Sequence, residues 1–518
     1  MRGGESIVKK HVDLTAFTAM EAGALIRKGE VSSRDAVMSS LQRMEQTEPM
    51  IHAFISRNTE GELDAVLSAA ENMSGDRRLN SPLAGLPMAV KDNICTSEMP
   101  TTCGSRMLAG YQPPYDATAW KKLRSAGAIL MGKLNMDEFA MGSTSETSYF
   151  GTVKNPLDPT RIAGGSSGGS AAAVSAGSVF YALGSDTGGS VRQPAAYCGV
   201  TGMKPTYGAV SRYGLVAYAS SLDQIGPIAA DALSCAAVLA QISGPDGFDS
   251  TARNDGPISL DAVRAFDVRD LRIGLPDGLF GDGLDPEVKA SVLTAARLFE
   301  QSGSFVEPFS LEGTELAIPA YYVIACAEAA SNLSRYDGVK YGYRPPEALD
   351  LAALYSRSRS EGFGTEVKRR LLLGNFVLSS GYYDAYYRRA VKAREWISRM
   401  LDQAFERHDL LLCPTTPDTA PSLGASGGDP LTLYLKDLYT VMPNLAGLPA
   451  ISIPCGFDKS GHPVGMQLIG RRGSDQQVLG AAHAFQQMTN FHRKHRAAAF
   501  PGKGQDCDQT DDAVKGGS

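Results

Sequence analysis

Histidine is scarce in this chain, with seven in 518 residues, and none lies between His52 and His408. That gap matters because residues 161–194 inside it read RIAGGSSGGSAAAVSAGSVFYALGSDTGGSVRQP, with two glycine-flanked serines, Ser166 and Ser190, 24 positions apart. A serine displayed on glycine is commonly a nucleophile, and such a serine commonly borrows a histidine as its base. No histidine stands nearby in the sequence. Either the serines are structural, or the base is another residue type.

Other absences narrow the field. The eight cysteines (95, 103, 198, 235, 326, 413, 455 and 507) include no CxxC pair, so neither zinc-ligand spacing nor a disulfide framework is present, and reduced thiols are expected. No metal site is expected on this chain. No uninterrupted apolar run reaches the ~20 residues of a membrane helix, and the opening MRGGESIVKKHVDLTAF has no apolar core of a secretory leader. A cytoplasmic protein without a membrane association is therefore expected. The net charge of −6 excludes nucleic-acid binding by bulk positive charge. What is abundant is hydrophobic residue content, at 43%, and glycine, at 55 residues, enough for a large core with many tight turns.

The periodicity predicts helix over 12–48, with Ser32 and Ser33 as caps and Ala36, Val37, Leu41 and Met44 at helical spacing. GLPMAV before Lys91, AILMGK (128–133), VFYALGSD (179–186), LRIGLP (271–276), LLLCPTTP (410–417) and AISIPCG (450–456) read as strands. NMDEFAMG (135–142) reads as helical turns, Ser170–Ala176 as a buried helix, 286–303 as a helix, and 365–409 as two helices. Residues 244–269 read as polar turns and 501–518 as a polar tail. Alternating strands and helices predict an α/β fold around a buried sheet.

Gly164-Gly165-Ser166-Ser167-Gly168-Gly169 formally matches G-x-S-x-G, the strained nucleophile turn of α/β-hydrolases, for which His408, His462 and His483 would be the downstream bases. It also resembles a phosphate-cradling loop, but ends Gly-Gly-Ser-Ala where a P-loop needs Gly-Lys-Ser/Thr. In Asp186-Thr187-Gly188-Gly189-Ser190, adjacent glycines would clear the approach to a carbonyl and let consecutive amides face one point as an oxyanion hole. The competing reading is a plain turn. Lys91, after GLPMAV and before Asp92-Asn93, could lose its proton if buried; singly it reads as a surface or ion-paired lysine.

Taken together and in order, KDN after GLPMAV, GGSSGGS, DTGGSVRQP, TTCGSRML (101–108), GSTSETSYFG (142–151), Asn155-Pro156 and GMKPTYGAVSRYG (202–214) resemble the amidase signature family. The resemblance implies one large α/β domain over residues 1–498 with a signature core at about 82–230 and a mixed central β-sheet covered on both faces by helices; the polar composition beyond it predicts a disordered tail at 499–518. It also implies a Ser-Ser-Lys triad: Ser190 as nucleophile, Ser166 as the bridge with a cis peptide, and Lys91 as general base. The amides of Thr187, Gly188, Gly189 and Ser190 would form the oxyanion hole.

Three further stretches, 328–342, 365–390 and 433–456, resemble the A subunits of bacterial glutamyl-tRNA(Gln)/aspartyl-tRNA(Asn) amidotransferases. This implies glutamine as substrate, with Arg370 on its α-carboxylate, Asp437 on its α-ammonium, and Tyr321 near the pocket. Arg369 is the alternative to Arg370. A cation and an anion held apart suit a zwitterion physically, although KRR taken alone reads as a solvated helix face and Tyr321 as core. The resemblance further implies two partner proteins, the B and C subunits of a heterotrimer. ATP and Mg²⁺ would be held by the B subunit, tRNA would be contacted mainly through it, and this chain would carry no cofactor. FHRKHR (491–496) could touch tRNA or a partner, or be a solvated surface. A stand-alone amidase of small or aryl amides and a non-catalytic assembly protein remain as alternatives.

Overall fold

The computed structural model describes residues 13–58, 62, 64–68, 81–425 and 434–498. The expected tail at 499–518 lies outside them. Eleven strands form one mixed sheet: β1 (Phe54–Arg57), β2 (Pro87–Lys91), β3 (Ile129–Leu134), β4 (Tyr181–Asp186), β5 (Thr201–Lys204), β6 (Gln224–Ala229), β7 (Arg272–Pro276), β8 (Phe305–Phe309), β9 (Leu410–Pro414), β10 (Ala450–Phe457) and β11 (Pro463–Gly470). Their order is β1-β3-β2-β4-β6-β5-β10-β11-β9-β7-β8. β2 runs parallel to β3 and β4, whereas β4 is antiparallel to β6.

Among the described residues the sheet separates the two large cores, and the period-2 alternation of strand side chains does the dividing. Met88 and Val90 of β2 and Leu183 of β4 enter the larger core, while Ala89 and Ala182 point into the smaller one. The smaller core is closed by the Ser33–Ile51 helix, through Val37, Met44 and Ile51, and by the Gly168–Ser175 helix, every residue of which is buried. The latter helix is Ala-rich because it lies directly against strands on this face, where larger side chains would not fit.

The expected elements differ from the observed ones at places with a physical reason. The helix read over 12–48 is two helices, Ala19–Arg27 and Ser33–Ile51. Gly29, at φ 72°, ends the first, and Ser32 starts the second in a capping box with Asp35. NMDEFAMG forms one 3₁₀ turn, Glu138–Ala140, because Phe139 and Ala140 take left-handed φ values of 50° and 61°. The polar stretch 244–269 contains a short helix, Leu260–Arg264, capped by Ser259. Strands β1, β5, β6, β8 and β11 have no clear signal in the sequence. The segment Thr314–Arg335 is long and apolar enough in composition to cross a bilayer. Here its helix, Ala317–Asn332, is wrapped by the Thr365–Leu378, Arg388–Arg407 and Leu438–Leu445 helices.

That wrapping brings the Thr365–Leu378 helix, which carries Arg370, close to the backbone of its neighbour. A Cβ on Gly374 would lie 2.0 Å from the Cys326 carbonyl oxygen. Gly374→Ala is therefore expected to destabilise the protein by about 1–3 kcal/mol as the helices are forced apart. A thermal melt of the two proteins checks this.

Candidate active site

The site forms at the carboxyl ends of two adjacent parallel strands, β2 and β4, where the sheet changes from parallel to antiparallel pairing. Lys91 is the last residue of β2 and is fully buried. Its Nζ donates to Ser166 Oγ at 2.7 Å and to the Ser185 carbonyl at 3.2 Å. No carboxylate pairs with it among the described residues; the surface and ion-pair readings both fail. Burial pulls its pKa down from the ordinary lysine range to about 7, against the pull of Asp137, Asp186 and Asp223 in the opposite direction. The two residues after Lys91 anchor it. Asp92 pairs with buried Lys133 at 3.2 Å and accepts from the Thr102 amide, and Asn93 donates to Ser185 Oγ at 2.9 Å.

Ser166 is fully buried, and the Gly165–Ser166 peptide is cis. Gly165 is needed for close approach: a Cβ there would sit 2.0 Å from an Asp137 oxygen. The neighbouring helix start is not a phosphate cradle, because the Gly168 amide donates to Ser145 Oγ and the Gly169 amide to the Asn135 carbonyl. Nor does any of the three candidate histidines serve these serines. His408 packs at a tilt against Phe309, His462 bridges Asp158 and Asp458, and His483 belongs to the Asp475–Met488 helix.

The loop after β4 is tied by Asp186. Its carboxylate accepts from the amides of Gly189 (2.8 Å) and Val191 (3.0 Å), forms a buried ion pair with Arg192 (3.0 Å), and accepts from Asn444 (2.9 Å). Burial opposes its ionisation, but Arg192, with Lys204 and Asn444, holds its pKa well below the ordinary range. The Gly189 amide is thus already engaged. The amides of Thr187, Gly188 and Ser190 have no acceptor among the described residues, so three of the four expected oxyanion donors are free. Ser190, 8% exposed, opens to the pocket. Its carbonyl accepts from the Ser167 amide at 3.1 Å, which joins the two serine loops. No hydrogen bond links Ser190 Oγ to Ser166, so one half of the expected relay is formed and the other is open.

The same pocket is lined by Ala140, Ser143, Gly188, Gly189, Tyr321, Arg370, Asp437 and Thr440. Arg370 faces it, 5% exposed, whereas Arg369 points outward and pairs with Glu366. Arg370 Nε donates to Glu366 (2.8 Å) and Nη1 to the Tyr218 hydroxyl (2.8 Å); Nη2 has no acceptor among the described residues. Asp437 accepts from the Tyr322 hydroxyl at 2.6 Å, and burial pushes its pKa up to about 6. Tyr321 covers Gly188, where a Cβ would lie 2.5 Å from its ring. Sequence reasoning missed Tyr218, Tyr322, Glu366 and Tyr434, which surround Arg370; the only signal was the doublet Tyr321-Tyr322. Among the described residues no cluster of His, Cys, Asp or Glu is arranged to hold a metal ion. FHRKHR opens the Phe491–Ala498 helix, with Arg493 paired to Glu21 at 2.6 Å.

A buried amine beside a buried serine, with a second serine on an amide-rich loop, is the equipment for acyl transfer from an amide. Known proteins of similar sequence and fold agree with that class. The Amidase family profile matches residues 35–479, and the chain belongs to this family. The A subunit of glutamyl-tRNA(Gln) amidotransferase from Lachnoclostridium phytofermentans is 53% identical over 489 residues, covering 93% of this chain and 99% of that protein. Its counterpart of the same name from Moorella thermoacetica is 52% identical over 483 residues, with 93% and 99% covered. The crystal structure of the glutamyl-tRNA(Gln) amidotransferase A subunit from Thermotoga maritima superposes with a TM-score of 0.77 at 41% identity, covering 92% of this chain and 95% of that one.

Gly189 has φ 133°, and a Cβ there would lie 2.2 Å from Thr440 Oγ1. Gly189→Ala is expected to displace the loop and lower amide hydrolysis by about 10²-fold or more, with an unchanged circular dichroism spectrum. Rate and spectrum measured on the same preparation check it.

Proposed function

We propose that this chain is the glutaminase component of a tRNA-dependent amidotransferase. It hydrolyses glutamine and supplies ammonia for converting Glu-tRNA(Gln), Asp-tRNA(Asn) or both to the amidated products. The observation that carries the reading is the buried 2.7 Å contact of Lys91 with Ser166, in the wall of a pocket shared by Ser190, Arg370 and Asp437. The names of the relatives supply the tRNA context.

In this reading Arg370 binds the α-carboxylate of glutamine and Asp437 its α-ammonium, so the side-chain amide is held at Ser190. Ser190 Oγ bonds to the amide carbon and passes its proton to Ser166, whose own proton moves to Lys91. Lys91 must be neutral to accept it. The oxyanion lies against the amides of Thr187, Gly188 and Ser190, while Gly189 keeps its bond to Asp186. As the C–N bond breaks, the proton returns through Ser166 to the departing nitrogen as ammonia. Water then attacks the γ-glutamyl ester through the same relay and releases glutamate. The open link between the serines closes when substrate is bound, since catalytic hydrogen bonds tighten in the complex.

Ammonia would be used by a second protein that binds tRNA and holds ATP and Mg²⁺, and a small third protein would complete the assembly. On this reading the chain works in translation in the cytoplasm.

Three outcomes are expected. Ser190→Ala abolishes ammonia release from glutamine, measured on the purified chain alone and with co-expressed partners; retained release contradicts the reading. kcat/KM for any amide rises with pH through about 7 as Lys91 loses its proton, whereas Lys91→Arg is inactive at every pH. Arg370→Ala raises KM for glutamine far more than for a simple amide without a carboxylate; equal effects on both remove Arg370 from substrate binding.

A further inference from the structure

Arg370 and Asp437 reach the pocket from different elements, the Thr365–Leu378 helix and the start of the Leu438–Leu445 helix. Selecting a zwitterion requires the separation between these two charges to be held, and neither residue can set it alone. The structure supplies a connection. Tyr322, on the Ala317–Asn332 helix, donates its hydroxyl to Asp437 at 2.6 Å, and its ring lies 5.3 Å from the Arg370 guanidinium. Tyr434 packs against Tyr322 with ring centroids 4.1 Å apart and the rings tilted by 30°, lies 5.5 Å from the same guanidinium, and donates to Glu366 at 2.7 Å. Glu366 in turn accepts from Arg370 Nε at 2.8 Å. The path Asp437–Tyr322–Tyr434–Glu366–Arg370 is therefore continuous, and it crosses from one recognition element to the other through part-buried contacts.

We propose that Tyr322 is a positioning residue that fixes Asp437 relative to Arg370, with Tyr434 and Glu366 completing the clamp, and that this clamp sets selectivity for amides bearing an α-ammonium beside an α-carboxylate. The inference rests on the assignment of glutamine as substrate. Tyr322 does not line the pocket and acts through Asp437. The other charged groups facing Asp437 are Arg370, which lowers its pKa, and Asp186 at the end of β4, which raises it.

The test compares glutamine with glutaric acid monoamide, which keeps the carboxylate and the amide and lacks the ammonium. Both substrates need neutral Lys91, so the ratio of their kcat/KM values cancels that ionisation and reports Asp437 alone. In the wild-type chain with its co-expressed partners the ratio favours glutamine and falls as pH drops through about 6. A wild-type protein that shows no such preference overturns the substrate assignment itself. Tyr322→Phe is expected to reduce the ratio about tenfold through KM, with kcat unchanged. It should also move the midpoint upward in pH, because the lost hydroxyl no longer favours the carboxylate. Tyr434→Phe, which leaves Asp437 its partner, is expected to raise KM for both substrates together by loosening Arg370. A wild-type preference preserved in full in Tyr322→Phe, with an unmoved midpoint, overturns the clamp, as does an unchanged KM for both substrates in Tyr434→Phe.

Discussion

The burial of one amine organises this molecule. Lys91 ends β2 inside the sheet, where water cannot reach it, and the ammonium form is disfavoured there by the loss of hydration. Three buried carboxylates nearby oppose that effect without cancelling it. The proton affinity that results lies close to neutrality, which suits a general base. A histidine has that affinity without special surroundings; a lysine acquires it only from the fold. The sheet, the two cores and the glycine-rich loops can be understood as the means of keeping Lys91 dry and within 2.7 Å of Ser166.

The loop that carries Ser190 illustrates the complementary requirement, that a backbone rich in free amides must still hold its shape. Asp186 meets it by binding the amides of Gly189 and Val191 while its charge is balanced by Arg192. Such a pair is expensive to bury and expensive to break. Asn444 and Thr440, from the Leu438–Leu445 helix that begins beside Asp437, close over the same loop. The element bearing a proposed substrate contact therefore also braces the proposed nucleophile. Thr187 makes a second link of this kind. Its hydroxyl donates to Asp223, which accepts from the Tyr218 amide, and the Tyr218 hydroxyl accepts from Arg370.

Much of this was legible in the sequence where local pattern and chemistry coincide. The apolar run before Lys91, the small residues after Ser166 and the glycines before Ser190 each report a local demand. The resemblance carried by those motifs implies the triad, and the separate resemblance of the stretches 328–342, 365–390 and 433–456 implies Arg370. The difference between Arg369 and Arg370 is a matter of helix phase, and the structure turns the first outward and the second toward the pocket. What was illegible depends on packing between distant segments. β5, β6 and β11 are short or glycine-interrupted runs whose strand character comes from their neighbours. The Gly189 amide could not be removed from the oxyanion set without seeing Asp186 bend back to it. Tyr218, Tyr322, Glu366 and Tyr434 come from four separate stretches, and only folding shows that they surround one guanidinium.

The most direct measurement is the ionisation of Lys91 itself, followed by NMR through the ¹³Cε shift of labelled lysine in the full-length protein and assigned by comparison with Lys91→Arg. A midpoint near pH 7 is the result this account requires. A lysine that keeps its proton to the ordinary range, above about 10, would contradict it, because no neutral base would then face Ser166.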